Sequence, residues 1–252
     1  MIESLYKITG RLVVEPQVLD SIAANMANAN SPGFKGQHLT INSFSDLLDT
    51  SISRFTPTGY TVHRGELVQD MSSGSYKHTD RALDFAIQGD AMFVVKSNNG
   101  ADVFTRNGDF RVTDKGVLVT QDGLEVVGKN GQIRFDAAQD DMTSIRVKPN
   151  GIVTVQGTAG PREVAQLKLI EVTDHKALMR TTPSFFVLKK GMGDSMREAN
   201  NPNVTNFTLE MANVSPITEM TKMIESVRSF ETAHRVLGKL DELFKKHQAI
   251  VQ

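Results

Sequence analysis

The chain contains no cysteine and no tryptophan, and the first of these absences excludes whole classes of chemistry. Without cysteine there is no disulfide, no thiolate metal site and no thiol nucleophile. The redox compartment stays open, because a cysteine-free chain suits an oxidising periplasm and a reducing cytosol equally well. An excess of charge of one sign is also missing: 28 Lys and Arg stand against 29 Asp and Glu, for a formal net charge of −1. A nucleic-acid or polyanion binder normally carries a clustered basic face, so that class is disfavoured. No apolar run reaches the roughly 18 residues of a membrane span. Lys7 and Arg11 break up the apolar positions that a secretory signal would need. If the protein is exported, the expectation is a route that does not read a classical signal peptide.

What is present is 252 residues with 39% hydrophobic side chains, enough for the core of one or two domains. Two amphipathic segments, residues 2–29 and 214–251, enclose a long middle with a different periodicity. Leu5, Ile8, Leu12, Leu19, Ile22 and Met26 fall on a seam of three- and four-residue steps, interrupted by Glu15. Met220, Met223, Val227, Phe230, Ala233, Leu237, Leu240 and Phe244 repeat the pattern, with Ile224 beside it. This is the spacing of helices that bury one face against another helix, and each stripe can meet the other or a neighbouring copy. Pro16 removes a hydrogen bond inside the first segment, so a kink or two short helices are expected there. Pro32 and Gly33 end it.

From Ala82 to Leu188 the period falls to two, with short β-prone runs such as Met92–Val95, Phe110–Thr113 and Ile152–Val155. Asn99-Gly100, Asn107-Gly108, Asp122-Gly123, Asn130-Gly131 and Asn150-Gly151 separate them. Such pairs supply the positive φ values of tight hairpins, so an antiparallel meander is predicted. Residues 36–80 read as an extended connector with one short helix around Ser45–Leu48, and residues 189–209 as a linker.

Four separated blocks are similar to the rod, hook and hook-associated axial proteins of bacterial flagella. Leu19-Asp20-Ser21-Ile22-Ala23-Ala24-Asn25-Met26-Ala27-Asn28, continuing through Ser31-Pro32-Gly33-Phe34-Lys35, resembles their N-terminal signature. Leu209-Glu210-Met211-Ala212-Asn213-Val214, with Glu219-Met220, Met223-Ile224, Arg228 and Phe230-Glu231, resembles the C-terminal one. Leu83 to Asp90 and Phe104 to Phe110 are similar to the central strands. Length and the Asn213-Val214-Ser215-Pro216-Ile217 segment resemble a proximal-rod protein most, with the distal rod as the close alternative.

The resemblance implies an α+β protein: N- and C-terminal helices forming a coiled-coil-like helical module around a central antiparallel β-rich module. The expected divisions are 1–35 and 210–252 for the helical module, 36–80 for the connector, 81–188 for the β domain and 189–209 for the linker. It implies a structural subunit with no catalytic, cofactor or metal residues, located in the basal body across the periplasm. Its implied partners are copies of itself, other rod proteins and the flagellar type III export apparatus. The residues expected to pack between subunits are Leu5, Ile8, Leu12, Leu19, Ile22, Asn25, Met26, Asn28, Asn213, Met220, Met223, Ile224, Val227, Phe230, Leu237, Leu240 and Phe244.

Other readings are weaker. Asn25, Asn28 and Asn213 could fix helix register by amide pairing, as a polar core residue does in coiled coils, or satisfy backbone near a helix end. Gly193-Asp194-Ser195-Met196 matches the start of a serine esterase motif, but no Asp-x-x-His follows it, and a turn is the simpler reading. Glu231 and His234 share a helix face at di-metal spacing, yet the first helix offers only Glu3 and Glu15 as further ligands. Arg106 and Asp109 flank a turn and suggest a surface ion pair. A hydrolase using Ser195 and an adhesin-like binding protein are the remote alternatives.

Overall fold

The computed structural model describes residues 2–42, 64–136, 140–158 and 160–251. The short helix expected at Ser45–Leu48 lies outside them. The chain divides into two compact units, one drawn from residues 1–27, 37–70 and 214–252, the other from 28–36 and 71–213.

The terminal unit holds helices α1 (Ile2–Ala27) and α2 (Pro216–Val251) and strands β1 (Gln37–Asn42) and β2 (Arg64–Gln69). α1 is one helix through Pro16 rather than two. Val14 and Glu15 are buried just ahead of the ring, and this packing offsets the missing hydrogen bond. α2 opens on Pro216, where a missing N–H costs nothing, and its first turn closes from Glu219 N–H to Ser215 O at 3.0 Å. β1 and β2 pair antiparallel from Gln37↔Gln69 to Asn42↔Arg64.

Among the described residues the central unit is built from seventeen short strands. Its largest sheet contains β5 (Ala91–Lys96), β6 (Asp102–Thr105), β7 (Phe110–Val112), β8 (Leu118–Thr120), β9 (Glu125–Gly128), β10 (Gly131–Gln132), β14 (Leu169–Val172), β15 (Leu178–Thr182), β16 (Phe185–Leu188) and β17 (Met196–Glu198). A three-stranded sheet contains β11 (Asp140–Val147), β12 (Ile152–Gly157) and β13 (Gly160–Gln166). Two-stranded pairs join β3 (Tyr76–His78) to β19 (Thr208–Glu210) and β4 (Phe85–Gln88) to β18 (Asn203–Asn206). The hairpins at Asn99-Gly100, Asp122-Gly123, Asn130-Gly131 and Asn150-Gly151 form as predicted, but β6 and β7 on either side of Asn107-Gly108 do not pair, β9 returns beside β5, and β16 beside β6. The sheet is therefore not a simple meander.

β5 sits in the interior of this sheet, and all five of its apolar residues are buried. Successive side chains point to opposite faces. Ala91, Phe93 and Val95 join the main core, where Phe93 and Phe110 meet edge to face at 5.0 Å. Met92 and Val94 join a second apolar layer with Phe104, Ile170 and Phe186.

The expected coiled-coil-like helical module around a central β module is corrected here. The described chain is mostly β-strand, and α1 and α2 are its only α-helices. They pack on each other, but the unit also contains the antiparallel pair β1–β2, and its buried residues include Glu15, Ser21, Asn25, Glu219 and Ser226. A coiled coil needs apolar knobs at such positions, and polar ones do not fill its holes.

Candidate assembly surface and buried charge cluster

The inner face of α2 is polar because α1 offers it polar partners. Ser226 Oγ donates to Glu15 Oε1 at 2.5 Å. Asn25 Nδ2 donates to Glu219 Oε2 at 3.1 Å, and Lys222 Nζ reaches Glu219 Oε1 at 2.6 Å. Asn25 also exchanges bonds with the backbone of Gln37, donating to its carbonyl at 2.7 Å and accepting from its N–H at 2.9 Å. One amide thus ties α1 to both β1 and α2.

With that face occupied by polar groups, an apolar stripe of α2 is left outside. Ile217, Met220, Ile224 and Val227 are 77%, 52%, 54% and 39% exposed, and their three-four-three spacing puts them on one side of the helix. Phe230 is also exposed and stacks on His234. Met223, Leu237 and Leu240 are half-buried. On α1, Ile22 and Asn25 are buried, while Leu12, Leu19 and Met26 are half-buried. Leu5, Ile8 and Phe244 lie in helices, but their side chains are outside the described set. Asn28 accepts from the Ser31 N–H at 3.0 Å through its carbonyl, at the turn that ends α1. Asn213 lies in the central unit.

A second constellation, which sequence reasoning missed, lies within the central unit. Lys35, Arg106 and Glu210 each have side chains only 1% exposed. Glu210 Oε1 accepts from Lys35 Nζ at 2.6 Å and from the Gly74 N–H at 3.1 Å, and its Oε2 accepts from Arg106 Nη1 at 3.3 Å. Arg106 also donates to the Gly89 carbonyl at 2.5 Å. Lys35 donates to the Ser72 carbonyl at 2.7 Å. Arg180 lies over the Phe34 ring at 4.6 Å and donates to the Lys35 carbonyl, and burial pushes its guanidinium down to about 10. Charges this deep hold only because each meets opposite charge or backbone dipoles, and removing one partner typically costs about 3–5 kcal/mol.

Glycine makes the close approach possible. Gly33 has φ +67°, and a Cβ there would stand 2.2 Å from the Asn107 nitrogen. Its N–H donates to the Glu210 carbonyl at 2.7 Å. Three of the sequence blocks quoted above, around residues 31–35, 104–110 and 209–213, therefore meet at one buried carboxylate. The surface pair expected between Arg106 and Asp109 is corrected: Arg106 is buried against Glu210, and Asp109 is held by Arg81 at 2.5 Å. The signal was one charged residue in each of the three blocks, Lys35, Arg106 and Glu210, but their separation along the chain hid the pairing.

The remaining motifs stay bland. Ser195 ends a 3-10 turn, Gly193–Ser195, and its carbonyl accepts from the Thr173 N–H at 2.9 Å. His234 and Glu231 are exposed on α2.

Residues 86–155 match the family described as the flagellar hook protein FlgE/F/G D1 domain, and residues 206–250 match the flagellar basal body rod FlgEFG protein C-terminal family. The flagellar basal-body rod protein FlgF of Rhizobium meliloti is 30% identical over 230 residues, covering 89% of each chain. FlgF of Salmonella typhimurium is 29% identical over 228 residues, 87% of this chain and 86% of that protein. The rod protein FlgG of Bacillus subtilis is 26% identical over 266 residues, 98% of each. With the charge cluster and the long terminal helices in the regions these relatives share, the chain belongs to the flagellar basal-body rod protein family of FlgF and FlgG, as a structural subunit and not an enzyme.

Proposed function

We propose that this is a proximal-rod subunit which joins copies of itself and other rod proteins through the outer face of α2. The observation that carries the reading is the exposed stripe Ile217, Met220, Ile224 and Val227 on a 36-residue helix. Four apolar side chains at helical spacing in water favour a partner, since each gains about 1.5–3 kcal/mol on full burial. A heterologous contact of this kind, repeated without closing, builds a filament. The other positions named from the sequence, Leu5, Ile8, Leu12, Leu19, Ile22, Asn25, Met26, Met223, Phe230, Leu237, Leu240 and Phe244 in the terminal helices and Asn28 and Asn213 just outside them, complete the proposed packing set, some within the subunit and some between subunits. Relatives named FlgF at 27–30% identity and relatives named FlgG at 25–28% both match, and the proximal reading rests on the chain length and the Asn213-Val214-Ser215-Pro216-Ile217 segment. The reading puts the subunit in the periplasmic part of the basal body, delivered by the flagellar export apparatus.

Val227→Asp tests it. In the free protein the position is partly exposed, so stability should change by no more than about 0.5 kcal/mol. In an assembly the charge would be buried without a partner at a cost of several kcal/mol. Complementation of a strain lacking its own copy should give folded protein but no rod and no swimming. Thr232→Asp, exposed on another side of α2, should swim. Equal behaviour of the two variants would reject the stripe.

A further inference from the structure

The path of the chain gives the charge cluster a second meaning. Between its two units the chain crosses at 27/28, 36/37, 70/71 and 213/214. The residues gripped around Glu210 stand beside three of these crossings. Gly36 N–H donates to Asn213 Oδ1 at 2.7 Å, and Asn213 Nδ2 donates to both the carbonyl and the hydroxyl oxygen of Ser72 at 3.1 Å. Lys35 bonds the same Ser72 carbonyl and Glu210, and Glu210 takes the Gly74 N–H. Every atom of this network belongs to the central unit; the β3–β19 ladder ends at Tyr76↔Glu210, with backbone bonds from Met211 N–H to the Ser75 carbonyl at 2.8 Å and from Gly33 N–H to the Glu210 carbonyl at 2.7 Å, and beyond it side chains bind the segments 33–36, 72–74 and 210–213 to each other.

We propose that Lys35, Glu210 and Asn213 form a clamp which binds the three departing segments into one connection and so limits independent motion of the two units. The physical ground is the choice of groups. A loop crossing could be held by solvent-exposed backbone bonds, which open at little cost. Here the binding groups are a buried ion pair and a side-chain amide that uses donor and acceptor together. Charge-assisted bonds in low dielectric are about twice as strong as neutral ones; those of Lys35 and Gly74 share Glu210 or Ser72, and the Gly36 bond joins them through the Asn213 amide, which also reaches Ser72. Three departing segments thereby leave the central unit from one bonded root. The inference stands on the isolated chain and is independent of where α2 docks.

Hydrogen exchange on the full-length protein tests it. Asn213→Ala removes the outer bonds with the ion pair intact, and Lys35→Met removes the inner ones. Both should speed exchange of the Gly36 and Gly74 amides by about tenfold or more, with β5 and β6 amides unchanged and Lys35→Arg restoring protection. Spin labels at Lys115→Cys and Lys239→Cys, introduced into the cysteine-free chain, should show a broader distance distribution in Asn213→Ala than in the parent. Unchanged exchange at Gly36 and Gly74, equal loss of protection in β5 and β6, or an unbroadened distribution would overturn the clamp. Should Lys35→Met fail to fold, the Asn213→Ala arms decide alone.

Discussion

Glu210 shows how far one side chain can organise a chain of this length. It carries a family-like sequence block, yet nothing in that block says that its partners are Lys35 and Arg106. Long-range ion pairs leave no periodicity, so they are invisible to pattern reading. Asp140 is a simpler case of the same physics. Its carboxylate accepts from Arg162 Nε at 2.9 Å and Nη2 at 2.5 Å, and these bonds hold its pKa below the ordinary value of 3.8. A depressed carboxylate contributes stability above its unfolded pKa and loses it as pH falls through the folded one. Asp140→Asn should therefore be less stable than the parent at pH 7, and the difference should shrink as pH falls toward and below 3.8. Chemical denaturation at a series of pH values measures this. Asp84 runs the other way: burial raises its pKa, so it adds no such stability at neutral pH.

The terminal helices and many strands between Ala82 and Leu188 were legible, but β1, β2 and β3 lie in the stretch read as a connector, β17, β18 and most of β19 lie in the one read as a linker, and the faces of the helices were not legible. Alternation and Asn-Gly turns place most hairpins of the central sheets, because period and turn chemistry are local properties. The return of β9 to β5 and of β16 to β6 depends on partners distant in sequence, which local patterns do not encode. For α2 the apolar periodicity gave one seam, but the structure separates it. Met223, Leu237 and Leu240 turn inward, while Met220, Ile224 and Val227 stay outside, because Glu219 and Ser226 find Asn25 and Glu15. A hydrophobicity pattern alone cannot anticipate a polar seam. Asn25→Asp probes that seam directly. It would replace the donor facing Glu219 with a second carboxylate and lose the bond to the Gln37 carbonyl. Leaving such buried groups unsatisfied costs about 1–3 kcal/mol, more for charged ones. Loss of helical signal from α1 and α2 before the central strands melt is the expected result in a thermal scan.

For the assembled protein the account is a division of labour. The central unit supplies a β core rooted in Phe93, Phe110 and their neighbours, and closes on Glu210. In the terminal unit Glu15, Asn25, Glu219 and Ser226 bond to each other and to β1, and the apolar stripe of α2 is exposed. Neither terminal helix alone announces this, since a stripe on one chain gives no view of the partner; the resemblance to rod proteins supplied that expectation, and the exposed side chains give it a location. Photo-cross-linking in intact basal bodies is the most direct test. A photoreactive amino acid at position 224 should join this subunit to a second copy or to another rod protein, and the same group at position 232 should not. Basal bodies that assemble normally and yield no intersubunit product from position 224 would contradict the account.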